Sequence, residues 1–269
     1  MARLERFREF MDRLHPSGLL YTTYEHRLIA ELDPHRRPHH VAVLADGNRR
    51  WARANAPGKP LVAGYQAGAD KLKEFVEWCD ELGIPIVTLW VLSTDNFTRS
   101  REEEVGPLLA VIESMVSDLA ATKRWRVHPV GALDLLPAKS AEILKQADRD
   151  THDIPGTVVN VAVSYGGRHE LRDAVRSLLA QHANDGTSIE ELSQTLDIEH
   201  IAEHLYTKGQ PDPDLIIRTS GEQRLSGFLM WQSAHSEFYF CEALWPDFRK
   251  VDFIRALRSY GQRERRFGS

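Results

Sequence analysis

Cysteine is scarce in this 269-residue chain: there are two, Cys79 and Cys241, and neither sits in a C-x-x-C pair. That excludes a disulfide framework and a thiolate metal site, and leaves both as small core residues. Long apolar runs are missing too. The longest, residues 84–92, already contains Pro85 and Thr88 and falls far short of the roughly 20 residues that span a bilayer, so a membrane-crossing helix is excluded. There is no excess of positive charge. The 34 Lys and Arg against 39 Asp and Glu leave a formal net charge of −5, which argues against nucleic acid as a partner, because phosphate-backbone binding favours a basic surface. The opening MARLERFREFMDRLH lacks the uninterrupted apolar stretch and small-residue cleavage site of a secretory signal, so a cytoplasmic location is expected. What is present, 42% hydrophobic and 27% charged residues, is an ordinary globular composition.

Leu4, Phe7, Met11 and Leu14 recur at helical spacing, and residues 19–32 carry a weaker stripe; both predict helices docking on a main body. Pro34 and the run PHRRPHH then read as a solvated linker rather than a metal site. From residue 40 onward, β-branched runs at 40–45, 84–92, 126–130, 157–165, 215–218 and 237–240 alternate with helical patterns at 69–82, 105–119, 140–148 and 170–182. This alternation predicts an α/β fold with a mostly parallel central sheet wrapped by helices. Residues 158–163 and 84–92 read as apolar on both faces, as a sheet covered on both sides requires. The expected organisation is an N-terminal helical extension over 1–38 and one catalytic domain over 39–269.

In an open parallel sheet, ligands bind beyond the carboxyl ends of the strands. Those positions hold Asp46-Gly47-Asn48-Arg49-Arg50-Trp51, Ser93-Thr94-Asp95-Asn96-Phe97-Thr98-Arg99, Tyr165-Gly166-Gly167-Arg168 and Arg218 through Ser226. Guanidinium forks, glycines that let backbone amides approach, and short hydroxyl and amide side chains together suit polyanionic phosphate ligands. Asp46 adds a hard oxygen ligand for Mg²⁺. Each signal alone also fits an ordinary turn, a strand-to-helix break or a solvated charge; their placement on one rim carries the reading. No Walker A loop and no G-x-G-x-x-G follows any strand, so nucleotide-triphosphate and dinucleotide readings lack their loops. Asp212-Pro213-Asp214 reads as a turn before a strand.

The motifs HVAVLADGNRRWA, GYQAGA, LSTDNFTR, NVAVSYGGR, the stretch from LYTKGQPDPDLIIRTSGEQRLSGF to HSEFYF, LWPDF and RERRFG resemble the cis-prenyltransferase family, also called undecaprenyl or Z-isoprenyl diphosphate synthases, from about residue 39 to the end. The resemblance implies a homodimer, an apolar product tunnel entering from the rim, and Mg²⁺-dependent condensation of isopentenyl diphosphate with an allylic diphosphate. By resemblance, Asp46 organises Mg²⁺. Gly47, Asn48, Arg49 and Arg50, followed by Trp51, hold the allylic diphosphate. Arg218, Arg224 and Ser226 form the isopentenyl diphosphate site, with Glu237 as a further metal carboxylate. Ser93, Asn96 and Arg99 sit where the family positions substrate for proton loss, Phe97 occupies a substrate-site position usually held by a tryptophan or another aromatic, and Arg266 reaches the partner's diphosphate site.

Three departures stand out: Leu61 and Tyr65 replace an arginine and a histidine, Gln223 replaces a histidine, and Trp90-Val91-Leu92 places valine where long-chain members keep a small residue. A valine there narrows the expected tunnel, although ordinary core filling accounts for it as well. The expected product is (2Z,6E)-farnesyl diphosphate from geranyl diphosphate. Three alternatives stay open: a long-chain decaprenyl or undecaprenyl synthase, a non-catalytic partner subunit and a phosphate-binding protein without turnover. The partner-subunit reading requires loss of the aspartate and rim arginines, yet all are present. The amphipathic product points to peripheral membrane contact, through the tunnel mouth or the Leu4, Phe7, Met11 stripe.

Overall fold

The computed structural model describes residues 25, 27–98 and 100–263. The stripe from Leu4 to Leu14, Arg99 and Arg266 lie outside them. The chain divides into two compact units: one spans His39–Asp247, and the other joins the residues up to Pro38 with those from Phe248 onward.

In the larger unit, β1 (His40–Leu44), β2 (Ile86–Trp90), β3 (Arg126–Val130), β4 (Val158–Ala162), β5 (Leu215–Arg218) and β6 (Glu237–Phe240) form one sheet in the order β3-β4-β2-β1-β5-β6. Every pairing is parallel, as the alternating sequence pattern predicts. Parallel neighbours need crossovers. Those before β5 carry α1 (Asn48–Asn55), α2 (Val62–Glu81), α3 (Gly106–Ala121), α4 (Ala138–Thr151), α5 (Gly167–Asn184), α6 (Ile189–Thr195) and α7 (Ile198–Ala202), and β5 passes to β6 through residues 219–236 without a helix. Val41, Val43, Val87, Leu89, Val159 and Val161 are fully buried, which gives the sheet its dry centre.

Three details correct the sequence reading. Helix α2 starts at Val62 rather than 69, because Gly64 and Gly68 in its first turns, which mask the helical pattern, leave room for α1: a Cβ on Gly64 would collide with the Asn48 carbonyl. The two central strands are not apolar throughout, since Thr88 and Asn160 are both fully buried. They are tolerated because they are satisfied: Asn160 Nδ2 donates to Thr88 Oγ1 at 3.0 Å and to Gln210 Oε1 at 2.6 Å, and Thr88 Oγ1 lies 2.8 Å from His40 Nε2. His40 in turn is no linker residue. It is 1% exposed, its Nδ1 lies 2.8 Å from the Pro211 carbonyl, and burial lowers its pKa to about 4. Asp214 takes the structural role its motif suggests, accepting the His39 and His40 amides at 2.6 and 3.1 Å immediately before β5.

Helices α6 and α7 escape the sequence reading although their caps were legible: Ser188 accepts the Glu191 amide at 3.1 Å, and Asp197 accepts that of Ile198 at 2.6 Å. In the smaller unit, α8 (Lys250–Gln262) closes the described chain. Its Arg258 pairs with Glu31 at 3.4 Å, and its Gly261 carbonyl accepts from Arg36 at 3.3 Å.

Candidate active site

The topology puts a crevice where the chain changes direction. β1 lies between β2, reached first, and β5, reached late, so the carboxyl ends of these three strands flank a switch point. A cavity of about 620 Å³ occupies that position, walled by Asp46, Asn48, Arg50, Ser93, Asn96 and Arg218 among others.

Gly47 turns the chain from β1 into α1 at φ 115°, a left-handed conformation that favours glycine. A Cβ there would also stand 2.9 Å from Leu244 Cδ2. The turn aims the N-terminus of α1, with its free N–H groups, at the cavity, where they suit an anion. Thr219, which the sequence places on the rim without a role, ties the strand ends together: its hydroxyl accepts the Asp46 amide at 3.1 Å and donates to the Asp46 carbonyl at 2.8 Å.

Arg218 ends β5 and is 5% exposed. A guanidinium buried so far must be paired. It donates to Asp46 Oδ2 at 3.2 Å, to Ser226 Oγ at 3.0 Å and to the Arg224 carbonyl. Arg50 extends the cluster, with Nη2 3.7 Å from Asp46 Oδ2 and Nη1 donating to the Ser220 carbonyl at 3.4 Å. Arg49 pairs instead with Glu104 at 3.1 Å. Asn96 Oδ1 accepts the Ser93 amide at 3.1 Å and so shapes the loop after β2.

The rim is also incompletely satisfied. Among the described residues, the buried atoms Arg218 Nε, Asn48 Oδ1, Ser220 Oγ and Trp90 Nε1 have no hydrogen-bond partner. Ser220, Ser226 and Leu229 hold φ values of 77°, 52° and 45°, left-handed conformations that cost non-glycine residues on the order of 1–3 kcal/mol each. Orphaned polar atoms and backbone strain gather where a ligand completes the structure.

For a metal ion, the described residues assemble no group of three His, Cys, Asp or Glu side chains. Asp46 lies on the cavity wall with its side chain 41% exposed, and Asp95 and Glu222 are further carboxylates along the same wall. That donor set fits Mg²⁺, which typically takes one or two carboxylates and completes its shell with phosphate oxygens and water.

Of the residues singled out from sequence, Asp46, Gly47, Asn48, Arg49, Arg50, Trp90, Val91, Leu92, Ser93, Asn96, Arg218 and Ser226 line this cavity. Trp51 and Phe97 do not; the Trp51 indole donates to Asp247 at 2.8 Å. Arg224 contributes its carbonyl, while its side chain turns out to Glu222 at 2.5 Å. Glu237 opens β6 level with Leu215, the first residue of β5, so within one chain it stands at the end of the sheet opposite Asp46. Trp90 ends β2 and Val91 follows it, both on the cavity wall; the Trp90 ring stacks on Phe228, with centroids 5.0 Å apart and planes 4° apart. The cavity also takes in Asp95 and Glu222, which lie in the strand-end stretches without being singled out there, Tyr65, noted as a departure, and Arg53 and Leu108, which no strand-end motif marks. The described residues do not define the longer apolar tunnel.

The family described as "Putative undecaprenyl diphosphate synthase" matches residues 44–268. The chain belongs to this prenyltransferase family. Relatives of nearly equal length include a (2Z,6E)-farnesyl diphosphate synthase from Thermobifida fusca, 59% identical over 93% of this chain and 97% of that one. Isoprenyl transferase 1 from Streptomyces avermitilis is 55% identical over 93% and 96%. Among solved structures, lavandulyl diphosphate synthase from Lavandula x intermedia in complex with dimethylallyl diphosphate superposes with a TM-score of 0.79 at 34% identity, covering 87% of this chain and 100% of that one.

Proposed function

We propose that this prenyltransferase condenses isopentenyl diphosphate with geranyl diphosphate and stops at (2Z,6E)-farnesyl diphosphate. The observation that carries the reading is the juxtaposition of two cationic subsites on either side of Asp46, one at the start of α1 and one at Arg218. The α1 amides with Asn48, Arg49 and Arg50 hold the allylic diphosphate, while Arg218, Arg224 and Ser226 hold isopentenyl diphosphate. Side-by-side binding brings the double bond to the allylic carbon and removes much of the entropic barrier. As the allylic C–O bond breaks, negative charge grows on the departing diphosphate, and Arg49 and Arg50 serve to meet it. Mg²⁺ held by Asp46 would supply further charge neutralisation on that diphosphate. Asn96 is too weak a base to take the C2 proton unaided; its oxygen is engaged in fixing the Ser93 loop.

The similarity to a farnesyl diphosphate synthase and the position of Val91 on the cavity wall support the short product. The reading includes a homodimer in which Arg266 serves the partner's site. It also includes a cytoplasmic location with peripheral lipid contact; among the described residues no helix is long and apolar enough to cross a membrane.

The test is product chain length. Purified protein with Mg²⁺ and labelled isopentenyl diphosphate is offered dimethylallyl, geranyl or farnesyl diphosphate separately, and the dephosphorylated products are resolved by chromatography. One added unit on geranyl diphosphate, with little beyond it, is expected. A ladder reaching decaprenyl or undecaprenyl length overturns the short-chain assignment, and no product from any primer overturns the catalytic one.

A further inference from the structure

The segment carrying Ser226 does not stand on its own. It is fastened from below to helix α5. The Gly167 amide donates to the Gly227 carbonyl at 2.9 Å, and a Cβ on Gly167 would collide with that carbonyl and with Met230, so the two backbones meet closely. Phe228, fully buried, lies between the Trp90 face and the Tyr165 edge at centroid distances of 5.0 and 5.9 Å. Gln232, 2% exposed, donates from Nε2 to Glu170 Oε1 and to Thr207 Oγ1, both at 3.0 Å.

Glu170 is the hub of this fastening. It sits in the first turn of α5 and is 1% exposed. Its carboxylate accepts from Gln232, from the Tyr206 amide at 3.0 Å and from the Tyr165 hydroxyl. It thereby joins three stretches distant in sequence: the end of β4, the approach to β5, and residues 225–233. Burial pushes its pKa up, and the three donors pull it back down. Leaving such a group or its donors unpaired is costly, so the three stretches are held in one arrangement. Yet Glu170, Gln232, Tyr165 and Phe228 are all absent from the cavity wall.

At its other end the fastened segment presents Ser226 Oγ and the Arg224 carbonyl to the Arg218 guanidinium. We propose that Glu170 is a positioning residue for the isopentenyl diphosphate subsite, setting the height of Ser226 and the Arg224 carbonyl against Arg218 through Gln232 and Phe228. The inference rests on the reading of the Arg218 rim as that subsite. It gives the cavity's two halves different supports: the allylic half stands on Gly47 and α1, and the isopentenyl half stands on α5.

The test is steady-state kinetics of Glu170→Ala, Glu170→Gln and Gln232→Leu, with folding checked by circular dichroism. Glu170→Ala should raise KM for isopentenyl diphosphate about 10- to 100-fold, the cost of a small misplacement of binding groups, while KM for geranyl diphosphate stays within about twofold. Glu170→Gln keeps an acceptor oxygen for Gln232 and the Tyr206 amide, so it should recover most of the loss. Gln232→Leu cuts a single strand of the fastening. It should show the same split at smaller size, and it serves if Glu170→Ala does not fold. Unchanged KM for isopentenyl diphosphate in a folded Glu170→Ala or Gln232→Leu protein overturns the proposal. So does an equal rise in both KM values, which would mean general loosening. Arg218→Ala separates the two levels: if it leaves isopentenyl diphosphate binding intact, the reading of the subsite fails rather than the role of Glu170.

Discussion

The polar row across the middle of the sheet and the rim at its carboxyl ends handle buried polarity in different ways. In the row, His40, Thr88, Asn160 and Gln210 are joined so that each donor meets an acceptor. At the carboxyl ends, Arg218, Asn48, Ser220 and Trp90 each keep a buried polar atom without a partner among the described residues, and non-glycine residues sit at positive φ. Unpartnered buried atoms occur elsewhere too, at Trp125 and Arg126 beside the start of β3, but those of Arg218, Asn48 and Trp90 belong to residues that line one cavity, where a ligand can complete them. The row holds the sheet together, and the rim is left to be completed from outside.

Removing Asp46 is the strongest way to break this contrast. Asp46→Ala is expected to lower kcat by on the order of 10³-fold, as loss of a charge-stabilising or metal-holding group does, while the chain still folds at a lower thermal stability because buried Arg218 loses its carboxylate partner; wild-type turnover in a folded variant would remove Asp46 from the metal role. The satisfied row is probed by pH. His40 titrates near 4 when folded and near 6.5 when unfolded, so between those values the unfolded chain binds a proton the folded chain refuses. Stability from this source is whole above pH 6.5 and is lost as pH falls towards 4, by as much as about 3 kcal/mol. Denaturant unfolding from pH 7 to 4.5 should show that slope, and a His40→Asn variant, which cannot titrate there, should flatten it.

Smaller effects sharpen the picture within the rim. Val91→Ala opens space on the cavity wall, so products should extend past one added unit, read by the same chromatography; an unchanged C15 product would assign length control elsewhere. Ser220→Gly relieves a left-handed φ and deletes an unpartnered hydroxyl. It should raise stability by about 1 kcal/mol in denaturant titration, and a loss of stability would show that the hydroxyl is in fact paired.

Much of this contrast was legible in the sequence, for identifiable reasons. Strand runs such as 84–92 and 215–218 are visible because apolar and β-branched residues on a doubly covered sheet leave a dense apolar signature, and the residues after them could be read together because parallel sheets gather ligands at one end. The polar row was not legible: Thr88 and Asn160 look like interruptions in apolar strands until the register pairs them. Nor was the support of Ser226, since Glu170 and Gln232 lie 62 positions apart and share no motif. The role of Thr219 stayed hidden for a similar reason: its hydroxyl acts on the Asp46 backbone, which only the alignment of β1 with β5 brings near.

The most direct test of the central claim is thermal unfolding of the wild-type chain and of the Arg50→Ala and Arg218→Ala variants, each with Mg²⁺ and either geranyl diphosphate or isopentenyl diphosphate. A ligand at 100 times its Kd that completes the rim should stabilise the wild type by about 2.7 kcal/mol. Arg50→Ala should lose mainly the geranyl diphosphate effect, and Arg218→Ala mainly the isopentenyl diphosphate effect. A wild-type chain whose unfolding neither diphosphate shifts would contradict the account.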